Sequence, residues 1–236
     1  MAFSTDNNVS SLLSTTTTPP TISVPVYSLA TTFKRATDID LNSKPSMNIV
    51  TFATPVSVNP RLYMISLYHG TMTRDAFLSN KYAILQLLDK KQKDLVPILG
   101  KRSGYDYKQG YDKQIECSER GYPWIKLDVG ERQWNADLGG DAKKAFQGMK
   151  LLPDCQSYIQ LELMDTMEAG DHEMVLCRVL GIGKWDAERL SVVDAAADDS
   201  DDANNDGGTV TSMPAKGDKN KDSILYTGYL RKIQIL

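Results

Sequence analysis

Short apolar runs separated by turn residues dominate the chain, and most of them are too short to form stable helices. Residues 23–33 (SVPVYSLATTF) combine β-branched and aromatic side chains and indicate where ordered structure begins. The final run, 223–236 (SILYTGYLRKIQIL), also has strand composition, so we predict a last strand there. Six further segments rich in Val, Ile, Leu and Tyr are predicted strands: residues 47–53, 61–68, 82–88, 124–128, 158–164 and 174–182.

Three short helices are predicted between these strands. The first begins at Thr73, whose hydroxyl can cap the segment TRDAFLSN. The second covers residues 91–99, with Gly100 just past its end, and the third covers residues 142–147. Many short strands with few helices predict a mainly β fold with a few short helices, an α+β class arranged as a barrel or a sandwich.

Two segments have compositions that do not form a core. Residues 1–22 are rich in Ser and Thr and lack the basic and apolar regions of a signal peptide, so we expect a disordered tail, with a transit peptide as the alternative. Residues 194–222 are acidic and polar, and we expect a solvated insertion; a calcium loop is a loosely matching alternative. The predicted domain is therefore residues 23–236.

Composition narrows the class of protein. The chain has 236 residues, of which 41% are hydrophobic and 24% charged, which suits one domain with its own core. A net charge of −3 argues against nucleic-acid binding, and no apolar run reaches the roughly 18–20 residues of a membrane span. Cys117, Cys155 and Cys177 are widely spaced, so we expect buried thiols and a reducing, cytoplasmic compartment.

The first candidate site lies where a predicted strand turns into a helix. The stretch 66–73 (SLYHGTMT) leaves the strand, turns at Gly70 and brings the hydroxyls of Thr71 and Thr73 to the helix start. Free N–H groups and the positive end of the helix dipole favour an anion there. Ordinary helix capping is the alternative.

The second candidate is the stretch 100–104 (GKRSG). Lys101 and Arg102 offer charge-assisted hydrogen bonds to a phosphate, and Ser103 adds a hydroxyl. The spacing differs from a Walker A loop, and a solvated basic turn is the alternative.

Two further candidates suit a flat heterocycle. Thr51 and Thr54, within the stretch 48–60, present hydroxyls and backbone groups of the kind that an isoalloxazine ring accepts; a plain barrel strand is the alternative. His172, in the stretch GDHE, is the side chain best suited to change protonation near neutral pH, although a lone histidine at a strand start is more often structural or exposed.

Taken in order, these stretches resemble the flavin reductase-like, FMN-binding split β-barrel family. The matching segments are NIVTFATPVSVNPRLYMISL, TMTRDAFLSNKYAILQLLD, LGKRSGYDYKQ, LELMD, GDHEMVLCRVLGI and ILYTGYLR. The resemblance implies a homodimer with FMN near the subunit interface. It implies that Thr51, Phe52, Ala53 and Thr54 line the ring, that Ser66 and Leu67 contact the ring or ribityl chain, that Asn80 approaches the flavin, and that Thr71, Thr73, Lys101, Arg102 and Ser103 hold the phosphate.

The resemblance also implies an activity. Hydride would pass from NADH or NADPH to the flavin, and electrons would then pass to an acceptor such as a partner oxygenase. His172 would lie beside the flavin and help to position the nicotinamide. A non-enzymatic FMN-binding electron carrier and a degenerate barrel that serves as an interaction protein are the alternatives.

Overall fold

A seven-stranded antiparallel sheet is the main element of the computed structural model, which describes residues 22–33, 44–109, 111–128, 138–184 and 223–236. The predicted tail up to residue 21 and the predicted acidic insertion lie outside these described residues. A second sheet pairs β6 (Ile125–Lys126) with β7 (Lys150–Leu151). The main sheet comprises β1 (Tyr27–Phe33), β2 (Lys44–Val50), β3 (Ala53–Ser57), β4 (Leu62–Tyr68), β5 (Tyr82–Leu87), β8 (Ser157–Ala169) and β9 (His172–Gly183).

The order of the strands shows why this sheet curves. Its order is β2-β1-β5-β8-β9-β4-β3, so the two edge strands β2 and β3 are consecutive in the chain. Only Thr51 and Phe52 separate them, and three Cα steps reach about 11 Å at most. The two edges must therefore lie close together without pairing, which is the geometry of a split barrel. The mainly β prediction is confirmed, whereas the single strand predicted over residues 47–53 is wrong because the chain changes edge at Thr51.

Short helices cover the sheet, as predicted, but their bounds differ. Thr71 rather than Thr73 is the N-cap of the first helix, and Thr73 lies buried within its first turn. The helix predicted over residues 91–99 is two consecutive elements, a 3₁₀ helix capped by Asp89 and an α-helix with Pro97 in its first turn. Gly100 is the last residue of that α-helix, whereas the prediction placed it just past the end. The helices are α1 (Met72–Asn80), α2 (Val96–Gly100), α3 (Lys113–Glu119), α4 (Gly140–Phe146) and α5 (Thr227–Lys232), with 3₁₀ helices at Lys90–Leu95 and Gly104–Gln109.

The predicted last strand over residues 223–236 is wrong. Only two isolated bridges form there, from Ile224 to Asp89 and from Tyr226 to Pro25, and the chain then enters α5. Because the two bridges engage different neighbours, no ladder can extend along the segment. The helical turn instead buries Leu230, while Leu225 fills the core beside the start of β1.

The core lies on both faces of the sheet, as the alternation of side chains along a strand requires. Ala30 and Ile84 belong to one buried cluster, and their chain neighbours Leu29 and Leu85 belong to the other. Phe77 of α1 is completely buried in this second cluster, so α1 is anchored to the barrel. The three cysteines are buried, as expected. None of the described helices is long and apolar enough to cross a membrane.

Candidate functional site

The junction between β4 and α1 forms the first part of the site. Gly70 has a φ of +74°, a conformation that glycine adopts without strain, and it turns the chain from β4 towards α1. The Thr71 hydroxyl donates to the carbonyl of Tyr68 at 3.0 Å and accepts the N–H of Arg74 at 3.4 Å. The start of α1 is therefore held directly against the end of β4, with the positive end of its dipole at this junction.

The stretch 100–104 packs against the same helix start. Ser103 Oγ accepts the N–H of Met72 at 3.2 Å and the N–H of Tyr105 at 3.3 Å. A Cβ added at Gly104 would lie 2.9 Å from Met72 Sδ, so only glycine permits this approach. Because both N–H groups donate to Ser103 Oγ, the hydroxyl keeps its own proton for donation to a ligand.

Two cations accompany Ser103. Lys101 and Arg102 are both exposed. The guanidinium carbon of Arg102 lies 4.2 Å from the centre of the Tyr111 ring, within the range of a cation–π contact. This contact limits the freedom of the Arg102 side chain. Hydroxyl, backbone and cationic donors thus lie on the segments that meet at the start of one helix, a combination suited to a phosphate.

An aromatic surface is formed by Phe52, Tyr68 and His172 around the end of β4. The Phe52 carbonyl accepts the N–H of Ser66 at 2.9 Å, and Tyr68 pairs with His172 across β4 and β9. The His172 ring packs edge-on against Phe52 at 6.0 Å and against Tyr68 at 5.3 Å between ring centres. Phe52 is 63% exposed and Tyr68 55% exposed, so much of this aromatic surface remains accessible.

His172 is held by the tip of the β8–β9 hairpin. Gly170 has a φ of +69°, and the two-residue turn that it forms with Asp171 places His172 at the first position of β9. Asp171 Oδ1 lies 2.6 Å from His172 Nδ1, and this hydrogen bond lowers the pKa of the Asp171 carboxyl. An ionised carboxylate can only accept, so Nδ1 carries a proton, and in the tautomer that this hydrogen bond selects Nε2 is an acceptor. The N–H of His69 donates to the Asp171 carbonyl at 3.1 Å and supports the turn.

The structure brings most of the predicted residues to these two surfaces. Asn80, however, lies at the C-terminal end of α1, about 13 Å along the helix axis from Thr71, and its Nδ2 donates to the Tyr82 carbonyl at 3.4 Å. Thr73 is 2% exposed, and its hydroxyl lies 2.8 Å from Ser46 Oγ. The residues near the aromatic surface are Thr51, Phe52, Ala53, Thr54, Ser66, Leu67 and His172, and those near the start of α1 are Thr71, Lys101, Arg102 and Ser103.

The sequence did not predict the ionic contacts beside the site. Arg74 Nη2 lies 2.6 Å from Glu173 Oε2, and Arg74 Nη1 lies 2.7 Å from Asp75 Oδ1. Tyr105 donates its hydroxyl to Asp75 at 2.7 Å, so the chain of contacts runs from β9 through α1 to the 3₁₀ helix after Ser103. No local sequence signal could pair Arg74 with Glu173, because the barrel brings them together from distant positions. No group of His, Cys, Asp and Glu in the described part of the chain is placed to hold a metal ion.

A split β-barrel, with hydroxyl, backbone and cationic donors at a helix start and an aromatic surface beside them, defines the class of this protein. Residues 25–191, well over half of the chain, match the model of the flavin reductase like domain. The chain belongs to the flavin reductase like domain family. None of the curated protein sequences matches it.

Several solved structures are similar to this chain at low sequence identity. Flavoredoxin from Methanosarcina acetivorans is 9% identical with a TM-score of 0.51, covering 73% of this chain and 74% of its own. Nitrilotriacetate monooxygenase component B from Mycobacterium thermoresistibile is 16% identical with a TM-score of 0.49, covering 69% and 70%. An NADH:FAD oxidoreductase from Streptomyces globisporus is 14% identical with a TM-score of 0.49, covering 70% and 77%.

Proposed function

We propose that this protein is an FMN-binding flavin reductase that oxidises NADH or NADPH and passes the electrons to an acceptor such as a partner oxygenase. Family membership supports the flavin, and the geometry of β4 carries the proposal. This one strand joins the aromatic surface at Ser66 and Tyr68 to the anion site at Thr71. A ligand with a flat ring at one end and a phosphate at the other fits that arrangement.

The phosphate end of FMN fits the donors present at the start of α1. The hydroxyl proton of Ser103, the cations of Lys101 and Arg102 and the helix dipole all favour a doubly charged phosphate. The Thr71 hydroxyl already donates to the Tyr68 carbonyl, so Thr71 contributes mainly by holding the helix start in place. Thr73 is buried against Ser46, and we assign it the same supporting role.

The ring end fits the surface formed by β3, β4 and His172. Phe52 and Tyr68 offer exposed aromatic faces, and Thr54 offers an exposed hydroxyl for a polar edge. Ser66 lies on β4 two residues before Tyr68 and is partly exposed, so it can contact the ring or the ribityl chain. Leu67 is 5% exposed within the core, so we assign its side chain no direct contact. We assign Asn80 no direct contact, since it lies at the far end of α1.

A bound flavin supplies the hydride acceptor, and the residues of this chain supply orientation and electrostatics. Asp171 fixes the His172 ring with Nε2 as an acceptor, while Phe52 and Tyr68 hold its edges. Nε2 can therefore accept a hydrogen bond from a carboxamide such as that of nicotinamide. His172 thus acts by positioning the reductant, and the step requires no proton from it.

We also propose that the protein is a homodimer in which a second copy covers the exposed apolar side chains of β3 and the β8–β9 hairpin. Val56 of β3 is 50% exposed, Val58 just after β3 is 88% exposed and Met167 of β8 is 60% exposed, so both elements present large apolar side chains to solvent. Sedimentation equilibrium should give twice the mass of the chain. The mass of a single chain at micromolar concentration would contradict the dimer.

Anaerobic reduction tests the proposed activity against a non-enzymatic electron carrier. With bound FMN, NADH or NADPH should bleach the flavin absorbance within seconds to minutes. His172→Ala should slow this bleaching about tenfold or more, because a misplaced reductant loses its near-attack geometry. His69→Ala is the matched control and should keep the wild-type rate, because His69 lies in the adjacent turn between β4 and α1 and its Nε2 faces Glu168 at 3.1 Å. Tight FMN binding without bleaching would establish the carrier instead.

A further inference from the structure

Lys113 on α3 is a buried lysine that the proposed function does not use. It is 6% exposed, although lysine is almost never found fully buried without a partner. Its Nζ donates to the Leu99 carbonyl at 2.8 Å, to the Met47 carbonyl at 3.1 Å and to Asn48 Oδ1 at 3.5 Å. All three protons of the ammonium group therefore have acceptors, which compensates for its removal from water.

These contacts fix the point where the stretch 100–103 begins. Leu99 belongs to α2 and Met47 to β2, so the ammonium joins the end of a helix to an edge strand. The preceding carbonyl, Ile98, accepts the Tyr111 hydroxyl at 3.2 Å. A Cβ added at Gly100 would lie 3.4 Å from Ile49 Cγ1, so the backbone there is already close-packed against β2. The start of the stretch 100–103 is thus tied to the barrel immediately before Lys101.

We propose that Lys113 is a positioning residue for phosphate binding, which fixes the start of the stretch 100–103 and places a buried positive charge beneath it. The proposal rests on the proposed function, since it concerns the same phosphate site. A buried charge acts over a longer range than an exposed one because water screens it less. Lys113 would therefore favour a phosphate dianion without contacting it.

The charge of Lys113 changes in an accessible pH range. Burial lowers the pKa of its ammonium group to about 8. The charged or titratable groups that face it are Cys117 on α3 and Asp106 on the 3₁₀ helix that precedes α3. The atoms of β2 and α2 that contact it are neutral oxygens. Burial raises the pKa of Cys117 to about 11, so this thiol stays neutral up to pH 9. Between pH 7 and 9, Lys113 is accordingly the group in this buried cluster whose charge is lost.

The test compares FMN with riboflavin, which lacks the phosphate, across pH 7.0 to 9.5. The second phosphate proton of FMN has a pKa of about 6, so the ligand charge is constant over this range. The dissociation constant of FMN for the wild-type protein should rise about fivefold between pH 7 and pH 9, while that of riboflavin should not change. Lys113→Met should bind FMN about fivefold more weakly at pH 7 and show no further loss at pH 9. Lys113→Arg, which keeps its charge, should remove the pH dependence and retain affinity.

The outcomes separate this proposal from the proposed function. A protein that binds neither FMN nor riboflavin at any pH refutes the proposed function itself. FMN binding with a flat wild-type pH profile overturns the role of Lys113, whatever the variants do. If Lys113→Met does not fold, the pH dependence of FMN binding by the wild-type protein still tests the proposal. Equal pH dependence for FMN and riboflavin overturns the proposal as well, because the effect would then not involve the phosphate.

Discussion

Gly104→Ala tests how the stretch 100–104 approaches α1. The added Cβ would lie 2.9 Å from Met72 Sδ and 3.1 Å from Met72 Cβ. The sulfur can move because it is near the free end of a flexible side chain, but the Met72 Cβ is fixed to the backbone of α1. The stretch must therefore retreat by a few tenths of an ångström, which weakens the 3.2 Å hydrogen bond between the Met72 N–H and Ser103 Oγ.

The expected loss combines two effects. Overpacking of a well-packed contact costs roughly 1–3 kcal/mol of stability. Movement of residues 100–104 away from α1 relieves much of this cost. That movement displaces the Ser103 hydroxyl, and a hydrogen bond to a charged group contributes about 1.5–3 kcal/mol. We therefore expect FMN affinity to fall about tenfold to a hundredfold, with a smaller loss of thermal stability.

Quenching of FMN fluorescence on binding provides the assay, with riboflavin as the second ligand. Gly139→Ala is the matched control, because Gly139 has a φ of −60° and a Cβ there meets open space. It should bind FMN like the wild-type protein. The proposed phosphate site is refuted if Gly104→Ala keeps wild-type FMN affinity, or if it loses affinity for FMN and riboflavin equally.

Three further substitutions test other contacts. Arg102→Ala should weaken FMN binding about tenfold, measured by the same titration, because a charge-assisted hydrogen bond is lost; Arg120→Ala, on the surface of α3, should not. Glu173→Gln should lower the free energy of unfolding in urea by about 3 kcal/mol, because it leaves Arg74 of α1 without its buried, charged partner. Glu162→Gln at a more exposed ion pair should cost less than about 1 kcal/mol. The folded protein releases the Lys113 proton at about pH 8 and the unfolded chain at about 10.5, so the wild-type protein should gain about 3 kcal/mol relative to Lys113→Met as pH rises through that window. A constant difference between these two proteins across that window would contradict the assignment of the buried ammonium.

Local pattern was sufficient to predict most of the fold. Runs of β-branched and apolar residues correctly located β4, β5, β8 and β9, and Gly70 correctly marked the turn into α1. The break between β2 and β3 could not be predicted, because Thr51 and Phe52 continue the strand composition on both sides. It depends on the closure of the barrel. The C-terminal helix also depends on tertiary packing, because burial of Leu230 outweighs the strand propensity of its neighbours.

The sequence located the phosphate end of the candidate site only in part. Hydroxyl and basic residues beside glycines were visible signals, and Ser103 does meet the start of α1. The same pattern could not separate Thr71, which caps the helix, from Thr73, which is buried. Lys113 gave one weak signal, which was its position four residues before the buried Cys117 on the same face of α3.

The relative affinity of the protein for FMN and riboflavin tests the central claim most directly. The two ligands share a ring and differ only in the phosphate, which we assign to Ser103, Lys101, Arg102 and the start of α1. A titration at pH 7 should show FMN binding at least about tenfold more tightly than riboflavin, with a shift of the flavin absorbance band. Equal affinity for the two ligands, or no flavin binding at all, would contradict the account.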